Sequence, residues 1–271
     1  MSVLYDSPRA AAVAGMFYPG DARSLKAEVH QYLGKPITPE KALGVMVPHA
    51  GYVYSGALCG HVLARVEIPE TVLILHTKHR PGGGDLSLAA YEAWRTPLGE
   101  LPTDRELTDA LDKPPVVVSN RPHGHDHAAE VVLPFLQVLR PDVRVAVISV
   151  GHTDYRELLK AAANIAAAIK AHARGVLIVS SSDMNHYEGH TLTLAKDEKA
   201  LERLRAFDPR GMLEVCLRED ISMCGAFATA LMVEACKLLG ATGARVIEHT
   251  TSGPTSGDME QVVGYATAVV S

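Results

Sequence analysis

The chain has 271 residues, 47% of them hydrophobic and 21% charged, with a formal net charge of -5. That apolar share fills the core of one large domain, and the acidic balance without a Lys/Arg cluster excludes a nucleic-acid backbone as partner. No stretch approaches the roughly 20 apolar residues of a membrane span, and the opening segment through Arg9 lacks the apolar core of a secretion signal, so the expected location is the cytoplasm, with no membrane partner.

In chain order, the run 43–47 predicts a strand that delivers Pro48-His49-Ala50-Gly51-Tyr52 to a turn, followed by a helix over 54–66. A strand over 71–76 leads into His76-Thr77-Lys78-His79 and the turn Pro81-Gly82-Gly83-Gly84. That turn lacks the glycine spacing of a phosphate cradle and reads as a mobile connection. Strands over 86–90 and 116–118 flank a helix over 104–111. A loop with His123, His125, Asp126 and His127 precedes a helix over 128–139, in which Glu130 interrupts an apolar pattern and needs a partner or a cleft. A strand over 144–150, a helix over 155–173 and a strand over 176–181 lead to Ser182-Asp183-Met184-Asn185-His186. Helices over 194–206, 209–219 and 224–239 and strands over 244–250 and 261–270 complete the chain.

Strands alternating with helices predict a single α/β domain over residues 1–271, its central mostly parallel or mixed sheet flanked by helices. Ligands bind at the carboxyl edge of such a sheet, and three apolar runs each end there in a histidine, which predicts a metal or catalytic pocket. Thirteen histidines against one tryptophan and four phenylalanines strengthen that expectation.

Each candidate has a plainer reading beside it. His49 serves either as a ligand or as a hydrogen-bonded turn residue, His79 is a candidate ligand, and His76 continues an apolar run and is expected in the core. Asp183 and His186, three apart, would share a face on a helical first turn, where the carboxylate orients the imidazole or caps the helix. Cys224 is expected at a helix N-terminus that favours thiolate. Cys59, Cys216 and Cys236 read as core residues, and without a CxxC pair the four cysteines exclude a disulfide framework and a structural zinc cluster.

Taken together and in order, several segments resemble the Memo family. They are Ala14-Gly15-Met16-Phe17-Tyr18-Pro19, Pro48-His49-Ala50-Gly51-Tyr52, residues 75–79, Trp94-Arg95-Thr96-Pro97-Leu98-Gly99, Asp126-His127 with Glu130 and Leu133-Pro134-Phe135, Ser181-Ser182-Asp183 with His186, Cys224-Gly225, and Thr251-Ser252-Gly253 with Ser256-Gly257-Asp258 and Val263-Gly264-Tyr265-Ala266. The chain differs from the family pattern at His76-Thr77-Lys78-His79, where Gly-Pro-Asn/Ser-His is common, and at Val132, often a histidine.

The resemblance implies a fold like that of class III extradiol ring-cleavage dioxygenases. It implies a metal site of His49, His79 and Cys224, with Asp183 and His186 as catalytic groups and His127 and Glu130 contacting the ligand. Fe(II) is the first choice of metal, with copper or zinc as alternatives. It also implies a small-molecule or peptide ligand and a functional link to a radical-SAM protein and an AMMECR-type protein. Two functions are compatible with this: a non-haem metal oxidoreductase in which His186 moves a proton, and a binding, adaptor or metal-handling protein that keeps the cleft without turnover. A zinc hydrolase and cysteine nucleophilic catalysis are further readings of the same residues.

Overall fold

Buried on both faces, a strand of a parallel sheet can be apolar throughout, and the chain's most uniform apolar runs occupy that position. The computed structural model describes residues 3–271. Its strands are β1 (Gly44–Val47), β2 (Thr71–Thr77), β3 (Leu86–Leu88), β4 (Ala93–Thr96), β5 (Gly99–Pro102), β6 (Val117–Val118), β7 (Arg144–Val150), β8 (Val176–Ser181), β9 (His186–Glu188), β10 (Ala244–Thr251) and β11 (Val262–Val270). Its helices are α1 (Ala22–Leu33), α2 (Tyr52–Arg65), α3 (Arg105–Leu111), α4 (Leu133–Leu139), α5 (Tyr155–Ala171), α6 (His190–Arg205), α7 (Pro209–Arg218), α8 (Ala226–Leu239) and the short α9 (Gly253–Ser256).

The main sheet runs β10-β11-β1-β8-β2-β7-β3-β6, with β9 attached to β11. Its centre, β1-β8-β2-β7, is parallel. β11 is antiparallel to β1 and β10, and β3 is antiparallel to β7, so the sheet is mixed. Successive side chains of β2 enter opposite layers. Leu73 and Leu75 join the core beneath α5, α7 and α8, whereas Val72 and Ile74 join the core beneath α1, α2 and α4. This single α/β domain is the one the alternating pattern predicts.

The differences are local. Helix α1, absent from the sequence reading, is set by Asp21, whose side chain accepts the Ser24 N–H, and by the buried Leu25 and Val29. β4 and β5 form an unpredicted antiparallel hairpin. The helix expected over 128–139 opens instead with a 3-10 turn at Glu130–Val132 and becomes α-helical from Leu133. The helical turn expected around Asp183 and His186 does not form: Asp183 lies in the loop after β8, and His186 opens β9 opposite Val263. Among the described residues no helix is long and apolar enough to cross a membrane.

Register fixes the place of the site. Ser181, at the end of β8, is level with Val47 on β1 and with His76 on β2. The loops that follow these three strands therefore leave the sheet side by side.

Candidate metal centre

His49 leaves β1 two residues after its last strand position, and the loop before α2 turns it into the interior, where it is 1% exposed. Its Nδ1 lies 2.8 Å from Ser181 Oγ. Ser181 gives its own hydroxyl proton to the Ala128 carbonyl at 2.6 Å, so it must accept the Nδ1–H of His49. Nε2 of His49 is thereby left with its lone pair free.

The loop after β2 places His79 by the same logic. Nδ1 of His79 donates to Asp126 Oδ1 at 3.2 Å, and the backbone N–H of His79 donates to Asp126 Oδ2 at 3.0 Å. Asp126 Oδ1 also accepts the Ala128 N–H at 2.9 Å. Burial opposes an ionised Asp126, yet the hydrogen bond from His79 and the neighbouring imidazoles hold its carboxyl well below the usual range. A buried carboxylate that binds one ring nitrogen and frees the other is the usual support for a metal-binding histidine.

His127 completes the group. Its ring stacks on that of His79 with centroids 4.8 Å apart and meets His49 edge-on at 5.4 Å. One ring nitrogen from each of His49, His79 and His127 lies within 4.8 Å of the others. Burial, and then the neighbouring His49 and His79, push the pKa of His127 down to about 4. Burial, followed by His79, drives that of His49 lower as well. All three rings sit close together, and His49 and His127 are held neutral, the form that ligates metals.

The sequence expected Cys224 as the third ligand and His127 as a ligand-contacting residue. The structure instead groups His127 with His49 and His79, and Cys224 stands beside that set. Its Sγ is 3.3 Å from His49 Nε2 and accepts the Asp183 N–H, also at 3.3 Å. The expected thiolate does not arise: α8 begins two residues later, and burial together with Asp183 pushes the thiol pKa up. The thiol therefore keeps its proton, which it donates to the Asp183 carbonyl at 3.6 Å.

Asp183 Oδ1 accepts the backbone N–H of His49 at 2.8 Å, and its Oδ2 lies 4.0 Å from His49 Nε2. Burial raises its pKa, against the His49 N–H and the nearby His186 and His127. His186, half-buried, donates Nδ1–H to the Ser222 carbonyl at 3.0 Å, which leaves its Nε2 as a proton acceptor. Ser222 is fixed in turn by Asn185, whose Oδ1 accepts its N–H at 3.0 Å and its hydroxyl at 3.1 Å.

Glu130 lies in the core with every partner supplied by the chain. It is fully buried, and its carboxylate accepts from Arg9 Nη1 at 2.6 Å, Tyr18 Oη at 2.6 Å, Ala12 N at 2.8 Å and Val13 N at 3.0 Å. Of the two alternatives its position allowed, the partner is the one realised. Arg9 also donates to the carbonyls of His123 at 2.9 Å and Asp126 at 2.7 Å, which ties the amino-terminal segment to the loop carrying His127. His76 sits in the core as expected: its Nδ1–H donates to Thr77 O at 2.7 Å, and its Nε2 meets His123 Nδ1 at 3.0 Å. The residues that sequence reasoning gave no role are Ser181, Asp126 and Arg9. Only Asp126 carried a signal, its place among three histidines.

With this geometry in view, a family model described as Memo-like protein matches residues 9–269. A MEMO1 family protein of Ignicoccus hospitalis is 39% identical over 95% of this chain and 96% of its own length. Another, from Methanosarcina barkeri, is 36% identical over 97% of this chain and 99% of its own. The fold is shared with an uncharacterized protein of Escherichia coli K12 of solved structure, at TM-score 0.57 and 14% identity, covering 84% of this chain and 100% of that one. By the extent of the family match and the identity to these relatives, the chain belongs to the Memo family.

Proposed function

We propose that His49, His79 and His127 hold one transition-metal ion in a redox site, Fe(II) first, with copper and zinc as the alternatives that measurement separates. The observation that carries this reading is the commitment of both outer Nδ1 atoms, to Ser181 and to Asp126, which leaves the other ring nitrogens of His49 and His79 as free donors near His127. Three nitrogens around one tetrahedral ion lie about 3.4 Å apart, so separations of up to 4.8 Å close with small side-chain rotations. Imidazole suits iron, copper and zinc alike, and three protein ligands leave positions open for a small molecule.

A redox metal there supplies electron transfer to a bound small molecule. The chain's own residues do the rest. His186 accepts a proton at Nε2, Asp183 holds the His49 backbone in place, and Asp126 fixes the His79 ring where it stacks on His127. The Cys224 thiol adds a soft group beside His49, where it tunes the choice of metal.

Elemental analysis of protein purified anaerobically without chelators tests the reading. One equivalent of metal is expected in the wild type, lost in His49→Ala, His79→Ala and His127→Ala and largely retained in Cys224→Ser. No uptake of Fe(II), Cu(I) or Zn(II) overturns it. With metal bound, O2-dependent turnover on a catechol panel supports the oxidoreductase, whereas stoichiometric metal without turnover identifies a metal-handling protein.

A further inference from the structure

A cavity of about 620 Å3 opens between the carboxyl ends of β2 and β7 on one side and α7 and α8 on the other, with Thr77 and Cys224 in its lining. This volume falls within the range of sites that enclose one small molecule. The wall opposite the sheet is apolar, built from Leu213 of α7, Phe227 of α8 and Ile221 and Met223 of the loop between them, with Leu217 at 86% exposure.

Most charges around it are already answered. Arg210 and Glu214 pair at 3.1 Å, Asp154 accepts the Arg156 N–H as the cap of α5, and Asp220 lies in solvent. Lys78 differs. Half-buried, it gives one hydrogen bond to the Gly84 carbonyl at 2.9 Å, and among the described residues it pairs with no carboxylate. An ammonium has three donors, so two remain for a ligand. A partly desolvated, unmatched cation next to an apolar wall selects an anion with a hydrocarbon body, because the ion pair strengthens as water is excluded.

We propose that this cavity binds a small amphipathic acid, its carboxylate on Lys78 and its hydrocarbon against α7 and α8. The site requires no metal, so its failure and that of the metal reading are separate events.

Displacement of the fluorescent probe anilinonaphthalene sulfonate from chelator-treated, folded protein tests it. Octanoate is expected to compete roughly tenfold better than octanol, the difference one ion pair makes. Lys78→Met removes that preference by weakening octanoate alone, and Leu213→Glu weakens both competitors, with circular dichroism confirming the fold of each variant. Loading the protein with Fe(II) leaves the octanoate competition unchanged. Equal competition by octanoate and octanol in the wild type, or a preference that survives Lys78→Met, overturns the proposal. Competition insensitive to Leu213→Glu places the probe on another surface and overturns it equally.

Discussion

Asp126 makes four contacts with one carboxylate, to His79 twice, to Ala128, and across 3.8 Å to His76. Asp126→Asn keeps the size but loses the charge and one acceptor, so His79 is no longer held in a single tautomer. For the proposed metal site, affinity is expected to fall roughly 10- to 100-fold, the usual effect of removing a carboxylate behind a ligating histidine; competition against a calibrated chelator measures it. His127 gives a pH dependence of definite sign. Its pKa is about 4 in the folded chain, because of burial first and of His49 and His79 second. The unfolded ring protonates near 6.5. Between these values the unfolded state binds a proton that the folded state does not, so stability falls as pH drops from about 6.5 to about 4. His49 acts in the same direction. His127 contributes on the order of 3 kcal/mol to that loss. Denaturant midpoints across the window check the slope, and His127→Gln is expected to flatten it. His49 and His79 are legible in the sequence because each follows an apolar run. The groups that set their tautomers are not, since Ser181 is 132 residues from His49 and Asp126 is 47 from His79.

At the scale of elements, α8 lies hard against the end of β8. A β-carbon on Gly225 would stand 2.5 Å from Ser182 Cβ and 2.6 Å from the Ser181 carbonyl oxygen, which is backbone and cannot turn aside. Gly225→Ala therefore pushes the start of α8 off the sheet and draws Cys224 away from His49. The expected cost is about 1–3 kcal/mol, and the Cys224 thiol should react faster with a disulfide reagent than in the wild type. Unchanged reactivity would show that the helix absorbs the methyl elsewhere. The central strands are readable because both their faces are covered, so an unbroken apolar stretch runs through each before any polar residue at its carboxyl end. Helix α1 escapes that reading because only Leu25 and Val29 are buried among its twelve residues. β9 escapes it because three residues held by the edge of β11 leave no periodicity to detect.

In the molecule as a whole, the amino-terminal segment acts as a strap. Arg9 joins Glu130 and two carbonyls of the histidine loop, and its guanidinium also lies 4.8 Å from the centre of the Trp94 ring. Arg9→Met strands the Glu130 carboxylate in the core, and a loss of about 3–5 kcal/mol is expected. Arg9→Met combined with Glu130→Gln should recover part of it, because the uncompensated charge is gone while an amide oxygen still accepts from the Tyr18, Ala12 and Val13 donors; thermal unfolding of the two variants makes the comparison.

The position of β1 has a further consequence in time. The strand that carries His49 lies between β8 and β11, so its neighbours are synthesised more than a hundred residues after it, and the second of them is the last strand of the chain. On the ribosome, His49, His79 and His127 all emerge before Ser181 exists to turn His49 and before β11 exists to cover β1. Contacts so distant in sequence form late. The full arrangement of the three histidines therefore waits for β8 and β11, and until those strands pair with β1 the loop carrying His49 has neither its anchor nor its cover.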